Sequence, residues 1–389
     1  MPFSFSTRRG VFLALACALA CSMVLLLACD KPSESTSTSS TCFRTLEHHE
    51  NIALCEASPD DYQPRNHLGS WGSHSCTIND TPNQYRAINE TDISTITRMA
   101  AFEEIAKLLW KHSHAPSRQD FEDARVFYAE NEGLDSRVQR REDVHFPVLP
   151  ECLRCNMASQ AVQEQHADRC AGPIKIRPII NEAFVQGHQQ NQPLVQAQRI
   201  KAALLWFNYL SSLSEVQTCA NEPKNCDSAW AYYTGGTSRD TLQGLATYIH
   251  AVSPETHHMA YDAALAVRCW RDVDPATPAA NTDLQYRALK QYDKALSRGM
   301  ALILRQKMVE WRNAVAVDPE VSSARQAFVQ TLFLLMENNL LGFAKTGGLQ
   351  HPQSTALLNE LKTLLNNPSP DFAAIGRMNE LWGSLFLCP

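Results

Sequence analysis

Residues 226–236 read CDSAWAYYTGG and place the acid Asp227 ahead of two adjacent phenols, Tyr232 and Tyr233, closing on Thr234, Gly235 and Gly236. Carboxylate and phenolate are hard oxygen donors, which suit a hard cation such as Fe(III) better than zinc. Tyrosinate already serves as an iron ligand in haem proteins. The same letters also have a structural reading. An acid in a first helical turn complements the helix dipole, a glycine pair stops a helix, and buried tyrosines fill a core while their hydroxyls reach a partner. The pattern occurs earlier in weaker form. EDARVFYAEN (122–131) aligns without a gap with DSAWAYYTGG (227–236), placing Glu122 on Asp227, Phe127 on Tyr232 and Tyr128 on Tyr233. Each copy follows a helical stretch containing Leu-Leu-Trp, at 108–110 and 204–206, which suggests two related halves.

Three histidine clusters and one cysteine pair add candidates. EHHE (47–50) gathers Glu47, His48, His49 and Glu50, and ETHHMAYD (255–262) gathers Glu255, His257, His258, Tyr261 and Asp262. His258 and Asp262 share a face if that stretch is helical. His112 and His114 lie between two expected helices. For each cluster the expected reading is a solvated polar surface or a helix start, with metal binding as the alternative. Cys152-Leu-Arg-Cys155 is a CxxC followed by Asn156, where haem attachment needs His. It is expected to be a structural disulfide, with redox or zinc chemistry as the alternatives. The chain contains no P-loop, dinucleotide fingerprint, G-x-S-x-G or H-E-x-x-H, so no enzyme class is indicated.

The elements that would position these groups are helices. Apolar residues recur at helical spacing over 93–111, 196–214, 283–315, 321–344, 353–366 and 371–387, and almost nothing alternates as a strand does. Pro116, Pro193, Pro223, Pro254, Pro319 and Pro368 mark the breaks. The expected fold class is all-α: a helical bundle, with related halves about 90–190 and 191–280 and C-terminal helices over 283–389. Residues 57–85 and 140–178, rich in Pro, Cys and polar residues, are expected to be long disulfide-pinned loops.

The first 28 residues read as an export signal, with Arg8 and Arg9 before an apolar run from Val11 to Ala28. Leu26-Leu27-Ala28-Cys29 has the form of a bacterial lipoprotein cleavage site, which would make Cys29 a lipid-bearing N-terminus. The Ser/Thr-rich stretch over 29–42 is then a flexible tether to a folded region from residue 43. The expected location is the cell envelope, lipid-anchored on the periplasmic or outer side of a bacterial membrane. Removing the leader removes two basic residues and no acid, leaving 33 basic and 41 acidic residues. That negative balance argues against nucleic acid as a partner. Of the 13 cysteines, Cys17, Cys21 and Cys29 belong to the leader and lipid site, and the even remainder suits disulfides in an exported protein. Cys219 and Cys226, close in sequence, are the expected pair.

At CDSAWAYYTGG, preceded by RIKAALLWFNYLSSLSEVQTC, the chain resembles the low-iron-inducible periplasmic family, the Fe-assimilation proteins of algae, to which phytotransferrins are related. Asp227, Ala229, Ala231, Tyr232, Tyr233, Thr234 and Gly235 match its motif, whereas Ser228 replaces the usual acid and Trp230 is bulkier than usual. FEDARVFYAENEGLDS (121–136) and INEAFVQG (180–187) resemble further parts of that family. The resemblance implies an exported helical protein that captures ferric iron and passes it to an iron transporter, with a carbonate-like anion as a companion by analogy with transferrins. Combining it with the chemistry and the repeat, Tyr233 and Tyr128 are the expected phenolate ligands. Asp227, Glu122, Glu103 or Glu104 would supply carboxylate, and His257, His258 or Asp262 would complete or cover the site. The alternative is a non-catalytic envelope scaffold or interaction lipoprotein whose tyrosines are structural.

Overall fold

The structure, a computed structural model, describes Tyr85, Ala87 and residues 93–385 apart from 113, 131–132, 271–277, 347–350 and 368–369. The chain divides into two units, Met1–Thr38 and Ser39–Pro389, and every described residue belongs to the second. The expected leader, the lipid site Cys29, the tether, EHHE, Cys42, Cys55, Cys76, Pro368 and Cys388 lie outside the described residues.

Thirteen α-helices and no strand occur among the described residues. They are α1 (Ser94–Leu109), α2 (Arg118–Ala129), α3 (Asp135–Val138), α4 (Gln160–Gln165), α5 (Arg177–His188), α6 (Pro193–Thr218), α7 (Lys224–Thr234), α8 (Gly244–Val252) and α9 (Pro254–Cys269). The long α10 (Pro278–Ala314) and α11 (Pro319–Thr346) follow, then α12 (His351–Leu365) and α13 (Phe372–Leu385). No helix among the described residues is long and apolar enough to cross a membrane.

Local chemistry sets the helix ends. The Ser117 hydroxyl accepts from the Asp120 N–H while the Asp120 carboxylate accepts from the Ser117 N–H, a reciprocal cap at the start of α2. Pro193, Pro254 and Pro319 occupy first turns, where a missing N–H costs nothing. Ser253 caps α9 by accepting from the Thr256 N–H. At the end of α7, Gly235 has φ +70° and Gly236 φ +81°, values that disfavour a side chain. A Cβ on Gly236 would also meet the Ile96 side chain of α1. The double glycine thus stops α7 and lets it close on α1.

The architecture is built around α6. Every residue from Ala202 to Leu213 is buried, so this stretch of the helix has no solvent face. It packs against α5, α7 and α11, while α10 packs against α8, α9, α11 and α13. Burial of each large apolar side chain contributes about 1.5–3 kcal/mol, which makes the Leu204–Leu205–Trp206–Phe207 run a major part of the core.

Two disulfides are described in full. Cys219–Cys226 ties the end of α6 to the first turn of α7, Cα to Cα 4.9 Å, as expected. The expected CxxC disulfide does not form, because Cys155 is bonded to Cys170, Cα to Cα 5.4 Å. The intervening α4 brings them together, and Gly172 N–H donates to the Arg141 carbonyl just beyond. Cys269 is also disulfide-bonded. The 140–178 stretch is pinned as expected, but it is not merely loop, since it holds a short 3-10 turn, α4 and a π-helical segment over Gly172–Ile176 leading into α5.

Candidate functional site

Of the expected donors, Tyr233, His257, His258 and Asp262 are brought together, on α7 and α9. Tyr233 and His257 are both fully buried. The Tyr233 hydroxyl lies 2.7 Å from His257 Nδ1, and His257 Nε2 lies 3.0 Å from the Arg239 carbonyl oxygen. A carbonyl only accepts, so Nε2 carries the imidazole proton, Nδ1 is the acceptor, and the phenol donates to it. Burial, backed by His258, His250 and Arg239, lowers His257 to about 4 and keeps it neutral, although the Arg239 carbonyl acts in the opposite sense. Burial also holds the Tyr233 phenol well above its ordinary pKa. The chain of donors and acceptors is therefore closed, with no phenolate in it.

Arg239, only 3% exposed, occupies the centre of the rest of the cluster. Its guanidinium forms an ion pair with Asp262, lies 3.2 Å from His258 Nδ1 and sits 4.5 Å from the Tyr261 ring centroid. A second cation brought to these groups would meet a buried positive charge that already neutralises Asp262. Tyr233, His257, His258 and Asp262, the expected iron donors, are thus engaged with one another and with Arg239.

The other expected donors are elsewhere. Tyr128 faces α5, its ring 5.5 Å from Phe184, whereas Tyr233 faces His257 of α9 and Tyr292 of α10. Burial, then the Asp135 carboxylate, raises the Tyr128 pKa well above a free phenol's. Glu122 pairs with His188 at 2.7 Å. Glu103 accepts from the Gly244 N–H at 2.7 Å and pairs with Lys111, tying α1 to the start of α8. Glu104 pairs with Lys107 on the solvent side. The two phenols thus do not share a cleft, and these carboxylates serve packing and surface pairing. His112 and His114 stack at 4.0 Å, and no group of three or more His, Cys, Asp or Glu is placed to hold a metal among the described residues.

The start of α7 offers a different site. Asp227 and Tyr232 line a polar pocket of about 490 Å³, together with Glu215 near the end of α6. Arg98 of α1, Arg137 of α3 and Lys224 of α7 supply basic side chains to the same wall. Ser94, Thr95, Asn225 and Ser228 add hydroxyl and amide groups. Asp227 is 1% exposed and accepts from the Tyr85 hydroxyl at 2.9 Å. Tyr85 stacks on Trp230 at 4.4 Å, which fixes that acid from behind. The buried Arg98 donates to the Ser94 hydroxyl at 3.1 Å. Arg141 sits 5.5 Å from the Tyr232 ring centroid and pairs with Glu215 at 3.5 Å.

Of the residues lining this pocket, Asp227 was among the expected donors, whereas Tyr232, Glu215, Arg98, Arg137 and Lys224 were not. Tyr232 was in view as the neighbour of Tyr233, and only the helix phase separates them. The basic residues stand on three helices with no common spacing, so no sequence signal groups them. No family model matches the chain, and no curated protein or solved structure is significantly similar to it, so the resemblance to Fe-assimilation proteins rests on the motif alone.

Proposed function

We propose that this is an exported, lipid-anchored, non-catalytic protein that captures ferric iron for an iron transporter, and that the cargo is held at the start of α7. The observation that carries this reading is the presence of Asp227 and Tyr232, both from the motif, in one polar pocket with Glu215. Two carboxylates and a phenol are the hard oxygen donors that Fe(III) prefers. The basic side chains around them oppose a bare trivalent ion and favour one accompanied by an anion, as the carbonate analogy requires. The positive end of the α7 dipole, where Asn225, Asp227 and Ser228 line the pocket, would favour that anion.

Adding Fe(III) should produce a visible phenolate charge-transfer absorbance. Tyr232→Phe and Asp227→Asn should weaken it, while Tyr128→Phe and Tyr233→Phe should leave it in place. A protein that stays colourless at saturating iron overturns the reading. The closed Tyr233–His257–Arg239 network favours a second reading in which the chain is an envelope scaffold or interaction lipoprotein with wholly structural tyrosines. That reading expects no colour and a partner captured through the protein surface.

A further inference from the structure

Lys201 of α6 is the only buried lysine among the described residues, at 8% exposed. Its ammonium lies 4.7 Å from the Tyr248 ring centroid of α8 and 5.9 Å from the Phe328 ring centroid of α11. Among the described residues no carboxylate pairs with it and no acceptor takes a hydrogen bond from it. The charged groups around it are mostly cations. Lys307 of α10 sets its own ammonium 5.8 Å from the same Phe328 ring, and Arg325 of α11 acts on Lys201 as a further positive charge. Lys307 and Arg325 share one acid, Glu310, at 2.6 and 3.0 Å. Lys111, just past the end of α1, is neutralised by Glu103 at 2.5 Å. Lys201, Lys307 and Arg325 therefore stand against the single carboxylate of Glu310, and burial makes an unbalanced charge costly. Burial first, then Lys307 and Arg325, lowers the Lys201 pKa to about 7, while Glu310 acts in the opposite sense. A large share of the amine is then neutral near pH 7, with its lone pair free to act as a nucleophile.

We propose that Lys201 is a modification site at which the side-chain amine takes up carbon dioxide and becomes a carbamate. The nitrogen lone pair attacks the carbon of carbon dioxide and a C–N bond forms. One C=O π pair moves onto oxygen, and the nitrogen releases a proton to water; nothing is oxidised or reduced. The product carries a carboxylate at the end of the lysine stem. An unpaired cation is thereby replaced by an anion facing Lys307 and Arg325, so that two cations meet two acids and the surplus disappears. Carbon dioxide is small and uncharged, so a side chain 8% exposed is within its reach. The carbamate ties α6 to α10 and α11 by charge, and dissolved carbon dioxide should therefore stabilise the protein. This inference is independent of the ferric-iron reading.

The test is carbon-13 NMR of the full chain in labelled bicarbonate, joined to trapping with triethyloxonium, which fixes a carbamate as its ethyl ester, and peptide mass spectrometry. Wild type should give one carbamate resonance and place the ester on the peptide carrying Lys201. At fixed dissolved carbon dioxide the labelled fraction should rise from pH 6 to 8, because only the neutral amine attacks. Lys201→Met should lose both signals, and its melting temperature should no longer respond to bicarbonate. Arg325→Gln, at a partly exposed side chain, should cut occupancy at least threefold, because Arg325 both frees the amine and holds the product; Arg325→Lys should recover most of it. No ester on Lys201 at saturating bicarbonate, or undiminished occupancy in Arg325→Gln, overturns the proposal. A resonance unchanged in Lys201→Met assigns the reaction to another amine and overturns it too. If Lys201→Met does not fold, the position of the trapped ester in wild type decides alone.

Discussion

Tyr233→Phe isolates the claim that this phenol is structural. The change keeps the ring among its neighbours and deletes only the hydroxyl, which leaves His257 Nδ1 as a buried acceptor without its donor. Stranding such a group costs about 1–3 kcal/mol. With an unfolding entropy of ~2.1 cal/mol/K per residue across Ser39–Pro389, that corresponds to a fall of about 1–4 °C in Tm. A pH series gives an independent check on His257. Its folded pKa of about 4 lies below the ~6.5 of the unfolded chain, so the unfolded state binds the extra proton between those values. Stability from this group is complete above pH ~6.5 and is lost as pH falls towards 4, by about 3 kcal/mol in all. His257→Gln should remove that acid-side component. Urea and thermal unfolding of wild type and both variants from pH 4 to 8 read these effects. A Tyr233→Phe protein that melts with wild type, or one that loses the iron absorbance while Tyr232→Phe keeps it, would refute the structural assignment.

His145 should give the opposite pH dependence. Burial lowers its pKa, but hydrogen bonds to Asp143 and Asp293 outweigh that and raise it to about 10. Stability from this clamp is therefore full below pH ~6.5 and lost as pH rises towards 10, and His145→Gln should flatten the alkaline limb of an unfolding series. Lys201 is lowered to about 7, by burial first and then by Lys307 and Arg325, with its ammonium 4.7 Å from the Tyr248 ring centroid. Lys201→Met should raise stability by about 1–2 kcal/mol at pH 6 and by less at pH 9, where the native amine is neutral, as denaturant midpoints would report. Removing Cys219–Cys226 by paired alanines opens a loop of sequence separation 7 and should cost about 2.5 kcal/mol, seen as a lower urea midpoint. The same change should weaken ligand binding at the α7 pocket, because Lys224, Asn225 and Asp227 all flank the bond.

The helices were legible because their signals are local. The apolar spacing over 196–214 lies inside α6 at Pro193–Thr218, and that over 283–315 matches α10 at Pro278–Ala314 to within a few residues. Proline breaks and the Gly235–Gly236 stop act over a single turn, so a linear reading finds them. Contacts across the chain were not legible. Arg239 stands in the connection after α7 with no motif around it, yet it pairs with Asp262 and reaches His258, both expected donors. Cys155 was read with Cys152 because they are close in sequence, whereas α4 folds Cys170 back onto it.

The repeated tyrosine explains why a sequence echo does not make a shared site. Both copies end a helix that packs on the helix before it, α2 on α1 and α7 on α6, and both place the second aromatic in the core. Their surroundings then diverge. α2 lies against α5, so Tyr128 meets Phe184, whereas α7 lies against α6, α8 and α9, so Tyr233 meets His257. The preceding aromatic diverges too: Phe127 is 39% exposed, while Tyr232 is buried against Phe207 and Arg141 at the pocket wall. In the first copy Glu122 turns to surface pairing with His188, and in the second Asp227 is buried and held by Tyr85. A polar pocket with fixed acid and basic side chains therefore forms at the second copy, and variants there should alter ligand binding while matched changes at Glu122 or Phe127 leave it unchanged.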